Sequence, residues 1–342
     1  MNRRLFLTSS AAALAACHRD QRPGLNLFNW SSYVGPETIA RFEAESGARV
    51  RYSVYESNEE MLARVLSGNS GWDIVFPTHY FLTPMREEGL LAPLDHNLLP
   101  GLRNIDAAFR GRPWDPDLRY SVPYMWNATG IIHNAKQTGE ITAWKDLWSP
   151  KLAGRMTMLD DPVEVFSAAL FKLGYSISSR DAAELGKAQA EAAAQKKLLR
   201  AYLNAEVRDQ LVAGDVLAAQ LWSTTAQQAI DAAPHLRFVY PSEGFPLYLD
   251  SAVILRESPR KELAHKFLDY VLRPEVAADI ASSARTGTAN AAARAILPKE
   301  ARENATLYPP PEVTARGQWF ETLPPATQRL RDRMWTEIKS GG

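Results

Sequence analysis

The stretch LNLFNWSSYVGPETIARFEAESGARVRYSVYESNEEMLARVLSGNSGWDIVFP, residues 25–77, decides the fold. LNLFNW (25–30) reads as a short strand. Pro36 opens PETIARFEAESG, in which Ile39 and Phe42 fall on one helical face and Gly47 supplies a stop. ARVRYSVY (48–55) returns to a period of two through Val50, Tyr52 and Val54, a second strand. Ser57 and Glu60 stand at capping-box spacing ahead of Met61, Leu62, Val65 and Leu66, which predicts a second helix. WDIVFP (72–77) is a continuous apolar run of the kind covered on both faces of a sheet. Strand, helix, strand, helix, strand predicts an α/β fold built on a parallel sheet.

Outward from that core, YSVPYMWNATGIIHN (120–134) predicts a long extended crossing. Helical patterns recur at 163–173 and 181–200. DVLAAQLW (215–222) reads as a strand, with a helix from about Ser223 and another strand in LRFVYP (236–241). LYLDSAVIL (247–255) is again extended. SPRKELAHKFLDYVLRP (258–274) predicts a helix with Ser258 as cap, Pro259 in its first turn and Pro274 beyond its end. A mainly helical tail follows. No internal repeat or low-complexity linker interrupts the chain, which favours two lobes joined by strands over two separate beads.

Residues 1–16 read as an export signal: Arg3 and Arg4, a short apolar stretch, then small residues. RRLFL resembles a twin-arginine address. LAAC (14–17) resembles the lipobox of bacterial lipoproteins, which makes Cys17, the one cysteine, a lipid-attachment point rather than a nucleophile or half of a disulfide. Loss of Arg3 and Arg4 with the signal leaves 37 basic against 39 acidic side chains, a net charge of −2. That balance argues against nucleic acid or an anionic membrane as the main partner. The expected product is a soluble body tethered at one end in the periplasm.

Enzyme signatures are missing: there is no H-E-x-x-H, G-x-S-x-G, phosphate loop or G-x-G-x-x-G. The six histidines include no helical i, i+4 pair, so neither a metal nor a cofactor is expected. His79, after a strand end, reads as a turn histidine. LDDPVEVF (159–166) has two readings. Asp161, Pro162 and Glu164 make a capping box, or the same carboxylates hold a cation. Asp250 lies inside an apolar run beside Tyr248, where an ionised carboxylate is costly unless it is paired. Its partner must be tertiary or come from outside the chain. Trp30 with Ser31, Trp222 with Ser223, and Tyr80 all follow strand ends, where ligands sit in open α/β sheets.

The motifs FNWSSYV, YESNEEM, WDIVFPTHYF, VPYMWNATG, LDDPVEVF, KLGYS, VLRPEVA and LYPPPE, in this order between Leu25 and Lys339, resemble the bacterial spermidine/putrescine-binding proteins, the solute receptors of ABC importers. The resemblance implies a type II periplasmic-binding fold: two α/β lobes that close by hinge bending on a ligand between them. It assigns 24–127 plus 249–297 to one lobe and 128–248 plus 298–342 to the other. It implies ligand contacts from Trp30, Ser31 and Tyr33 on one wall and from Thr78 and Tyr80 on a second. Acidic contacts would come from Asp161 and Glu164, an aromatic platform from Trp222, a further aromatic from Tyr248 and an ammonium-binding carboxylate from Asp250. The implied partners are a small polyamine-like cation and an inner-membrane ABC permease, with the receptor a monomer.

The sequence departs from the family at the site. Ser32 and Thr225 stand where acids are common, Thr286 replaces a tyrosine with Arg285 beside it, and Phe320 stands where a spermidine-type glutamine is expected. These changes open a second reading, a receptor of the same fold for another amine or a zwitterion such as an amino acid derivative or amino-phosphonate. Two further alternatives are a hydrolase using Asp161 and Glu164 as acid and base, and a sensor that reports its ligand without transporting it.

Overall fold

β1 (Gly24–Trp30) lies between β2 (Arg49–Tyr55) and β3 (Ile74–Val75) and runs parallel to both. The helices Thr38–Ser46 and Asn58–Leu66 fill the two crossovers, as the opening stretch predicts. The computed structural model describes residues 22–341, so the export signal and Cys17 lie outside the described residues. The remaining strands are β4 (Val122–Asn134), β5 (Met156–Met158), β6 (Ala201–Tyr202), β7 (Ala218–Trp222), β8 (Leu236–Val239), β9 (Phe245–Ile254), β10 (Gly287–Thr288) and β11 (Gly317–Trp319). They pair in the order β2-β1-β3-β9-β4-β7-β5-β6, with β10 and β8 added to β4 and β11 to β9.

β4 and β9 organise this arrangement. All thirteen residues of β4 are buried, as are all ten of β9. The first half of β4 pairs antiparallel with β9, from Val122 opposite Ala252 to Ala128 opposite Leu247. From Thr129 onward it pairs instead with β7, and from Ile131 also with β8. One strand therefore leaves one sheet and enters another without a turn, and Gly130 sits where it enters. A Cβ at Gly130 would collide with the carbonyl of Val239 and the ring of Phe238, so only glycine lets β8 lie this close.

Apolar clusters cover each side. Phe28, Tyr55, Met61, Val65 and Trp72 pack together under the first strands, with Phe28 stacked on Trp72 at 4.8 Å between centroids. Ile132, Val207, Leu211, Leu221 and Leu236 pack around β7 and β8. A larger cluster joins β4, β9 and the helices Pro162–Lys172, Ala182–Lys196 and Lys261–Val271.

The structure differs from the sequence reading in places. Val54 is 46% exposed and Leu66 52% exposed. β2 ends the strand order: Val50 and Tyr52 on the face that Val54 shares are half-buried against the core, Val54 at the strand's carboxyl end is not, and Tyr55 on the other face is buried. The 258–274 helix begins at Lys261 with Arg260 as its N-cap. Ser258 instead donates to buried Asp73 at 2.6 Å and accepts from the Arg260 amide. Asp73 also pairs with Arg260 at 3.0 Å, so the hydroxyl helps satisfy a buried carboxylate. Pro274 opens a further helix, Pro274–Ala284.

Candidate functional site

The carboxyl ends of β1, β3, β5 and β7 face a common cavity of about 390 Å³. Trp30, Ser31, Ser32, Tyr33, Thr78, Tyr80, Asp161, Glu164, Trp222, Tyr248 and Asp250 all line it. β1 and β3 deliver the first five and Tyr80. The helix Pro162–Lys172 after β5 delivers Glu164 and its cap Asp161, β7 delivers Trp222, and β9 delivers Tyr248 and Asp250. β4 adds Asn127 between the two groups.

Each wall is fixed by hydrogen bonds. Trp30 Nε1 donates to the carbonyl of Phe76 at 2.8 Å, which also accepts from Tyr55 at 2.7 Å. The indole is thereby tied to β3, and its ring lies 4.6 Å from that of Tyr55. Ser32 reverses the chain after β1 with φ of 59°, a left-handed conformation unusual for serine. Asn58 accepts from the Thr78 amide and donates to the Thr78 hydroxyl, both at 3.0 Å, which aims that hydroxyl's own proton at Asp250. Tyr80 and Tyr248 stand 6.3 Å apart, edge to face.

Asp250 is 4% exposed. Its Oδ1 accepts from Thr78 Oγ1 at 2.7 Å and its Oδ2 from Tyr33 at 3.0 Å. Burial raises its pKa to about 6, against the opposing pull of the two hydroxyls. The tertiary partner expected for this carboxylate is thus a pair of neutral donors rather than a base.

Glu164 is 2% exposed. Its Oε1 accepts from Thr129 at 2.7 Å and Trp222 Nε1 at 2.8 Å, while its Oε2 has no partner among the described residues. The Tyr248 hydroxyl is near enough to favour the charged form, but it completes no hydrogen bond. Burial, then the neighbouring Asp161, raises the Glu164 pKa well above the carboxylate range.

The two readings of LDDPVEVF separate here. Asp161 is the N-cap of Pro162–Lys172, its Oδ1 accepting from the amides of Val163 at 2.7 Å and Glu164 at 3.3 Å. Glu164 does not return a bond to the cap and turns into the cavity, so the capping box is half made. Burial, then the charge of Glu59, raises the Asp161 pKa. None of the ion pairs among the described residues involves Asp161, Glu164 or Asp250. Burial also lifts Tyr33, Tyr80 and Tyr248 well above the usual phenol range, which leaves them neutral donors.

Two of the expected residues lie elsewhere. Arg285 caps the C-terminus of Pro274–Ala284 and pairs with Asp231 at 2.7 Å, outside the cavity lining. Thr286 is buried behind the wall, accepting from Thr224 at 2.9 Å and donating to the Trp126 carbonyl at 3.3 Å. Thr225 does line the cavity, whereas Phe320 packs against the Tyr80 ring at 5.1 Å and does not. His79 is fully buried, donating from Nε2 to the Phe320 carbonyl and accepting at Nδ1 from the Leu249 amide. Burial lowers its pKa to about 3, so the ring is neutral.

Sequence reasoning missed Glu56, Asn58, Asn127, Thr224, Gln228 and the loop Asn204–Glu206 with Arg208, all of which line the cavity. Asn127 had a signal, an amide in an otherwise apolar strand. The loop at 204–208 had none, because only tertiary folding carries it to the rim. Arg208 is the one basic residue in the lining among the described residues, and Asp209 pairs with it at 3.1 Å.

A mouth of buried carboxylates, aromatic faces and hydroxyl donors is suited to holding a cation. Comparison with known proteins gives the family. The model of the bacterial extracellular solute-binding protein family matches residues 37–309. The chain is 34% identical over 343 residues to the spermidine/putrescine-binding periplasmic protein of Escherichia coli K12, covering 99% of this chain and 98% of that one. It is 31% identical to the putrescine/cadaverine-binding protein of Pseudomonas aeruginosa, covering 99% of each. A solved structure described as a putative spermidine/putrescine ABC transporter from Listeria monocytogenes superposes with a TM-score of 0.89 at 30% identity, covering 93% of this chain and 99% of that one. With its family model, its relatives and its site agreeing, the chain belongs to the bacterial extracellular solute-binding proteins, has the type II periplasmic-binding fold, and stands alongside the spermidine/putrescine-binding periplasmic members.

Proposed function

We propose that this protein is the substrate-binding component of an ABC importer and that it captures a polyamine of the putrescine or spermidine type. The observation that carries this reading is the set of three carboxylates, Asp161, Glu164 and Asp250, that face one aromatic cavity with no basic partner among the described residues. A bound ammonium would supply the missing charge. Each charge-assisted hydrogen bond contributes roughly 1.5–3 kcal/mol. Aromatic contact with a cation contributes about 0.5–2 kcal/mol. Burial of a four-methylene chain contributes about 3 kcal/mol. After association costs, these terms are compatible with micromolar binding, roughly −8 kcal/mol.

The lining residues would divide the work. Asp250, with Thr78 and Tyr33, receives one ammonium, and Glu164 with Asp161 receives another. Trp30, Tyr80, Trp222 and Tyr248 enclose the methylenes, and Ser31 and Ser32 border the mouth. Arg285, paired with Asp231 outside the lining, gives no support to the zwitterion reading. The same reading includes closure of lobes 24–127 plus 249–297 and 128–248 plus 298–342, a monomeric receptor, export by the twin-arginine-like signal and tethering through Cys17. The role is binding rather than turnover, in keeping with the family.

Calorimetry with putrescine and spermidine tests this reading. Wild type should bind at least one of them at micromolar concentration, and Asp250→Asn should bind it tenfold to a hundredfold more weakly. Equal affinity in both proteins removes Asp250 from the site. A response to zwitterions alone removes the polyamine assignment.

A further inference from the structure

Tyr80 also lines a second cavity, of about 500 Å³. Its other walls come from the start of the helix His79–Glu87, the loop 112–114, the turn 176–178 and the segment 318–322. Its lining balances one arginine against one glutamate, where the first cavity is rich in carboxylates. Arg112 is the one basic residue in this lining, half-buried, with Nε and Nη2 both directed at the Ala108 carbonyl. No ion pair among the described residues includes it. Glu321 is the acid in the lining, but it is paired with Arg180 at 3.4 Å and its side chain is 67% exposed, so its charge is spent in water.

One aromatic ring carries this cation and a second stands behind that ring. The guanidinium carbon lies 4.9 Å from the Trp319 centroid, and the Trp114 ring lies 5.5 Å from that of Trp319. A cation in no ion pair, resting on one aromatic face of a cavity that other rings line, matches a guest with one negative end and a flat apolar body. The cavity also touches the frame of the first site. His79 forms part of its wall, and the His79 ring joins the Phe320 carbonyl at 2.9 Å to the amide of Leu249, the residue before Asp250. Thr322 donates to the Tyr80 carbonyl at 2.8 Å.

We propose that this second cavity binds a small aromatic monocarboxylate, with the carboxylate on Arg112 and the ring against the cavity-facing sides of Trp114, Trp319 and Tyr80, and that its occupancy changes affinity in the first cavity through Tyr80 and His79. The binding step stands by itself; the coupling step rests on the polyamine reading above.

Benzoate and indole-3-acetate are the probes, titrated against the full chain with thermal shift and tryptophan fluorescence as readouts. At least one should bind saturably to wild type and to Asp250→Asn, and about tenfold more weakly to Arg112→Gln, with Arg112→Lys intermediate. The melting temperatures of the unliganded variants show whether each is folded. Absence of saturable binding by both probes, equal affinity in folded Arg112→Gln, or loss of binding in Asp250→Asn overturns the site. With a probe saturating, the putrescine dissociation constant should move by about fivefold in either direction. An unchanged constant overturns the coupling while leaving the site in place. A protein that binds the probe but never binds putrescine refutes the polyamine reading, and the coupling with it, but not the site.

Discussion

Asp250 is held in its charged form by two hydroxyls and, among the described residues, by no ion pair. Its folded pKa, about 6, lies above the 3.8 of an unhindered aspartate. For a carboxylate raised on folding, the cost is fully present above the folded value and relieved as pH falls through it. Two pKa units correspond to about 3 kcal/mol. In the ligand-free state Asp250→Asn should therefore be more stable than wild type at pH 7.5, by up to that amount, and the difference should vanish near pH 4. Urea denaturation of both proteins across that range measures it, and a difference that does not change with pH refutes the assignment. A dicationic ligand needs the charged form, so its affinity should fall as pH drops below about 6. At this scale the sequence was legible where a residue's type already contradicted its surroundings. Asp250 in LYLDSAVIL was such a case. Glu56 and Glu206 were not, because an exposed-looking acid on a turn carries no mark of the cavity it lines.

The helix Pro162–Lys172 shows how one element serves two purposes. Its cap at Asp161 satisfies the first amides, and its third residue, Glu164, is released from capping to face the cavity. Substitution can separate these roles. Asn caps as well as Asp does and carries no charge to desolvate, so Asp161→Asn should be at least as stable as wild type above pH 6 while weakening cation binding several-fold. Asp161→Ala should bind as weakly and be about 1 kcal/mol less stable than Asp161→Asn, the difference being the lost cap. Thermal or urea melts beside calorimetry distinguish the two, and equal binding by wild type and Asp161→Asn would reduce Asp161 to a cap alone. The elements themselves were largely readable from periodicity: the two crossover helices, the long β4 and the apolar β9 all stand where the pattern puts them. β10 and β11 were not, since two- and three-residue strands form only because β4 and β9 already offer an edge. Ser258 misled for a similar reason, because a buried Asp73 from a distant segment claims the hydroxyl that local sequence assigns to a cap.

At the scale of the whole molecule, β4 and β9 pair along the middle of the sheet order and each continues into different partners at its two ends. The proposed closure bends this pair. Small-angle X-ray scattering should then give a smaller radius of gyration with saturating putrescine than without it, and no change for Asp250→Asn at the same concentration. An unchanged radius for ligand-saturated wild type would mean that the cavity is preformed. The general α/β organisation was legible in the order of elements. The assembly of the site was less so, since β1, β3, β5, β7 and β9 reach it from opposite ends of the chain.

Asn127, Tyr248 and Asp250 ride on the crossing strands themselves, whereas Ser31, Ser32 and Glu206 project from turns beyond strand or helix ends. In a swinging gate, points at the pivot hardly travel while the free edge sweeps a wide arc. Under the proposed closure the floor is already in its final position when a guest arrives, and only the lip comes across. Arrival should be governed by what the lip exposes, and escape by how firmly the stationary floor keeps its hold.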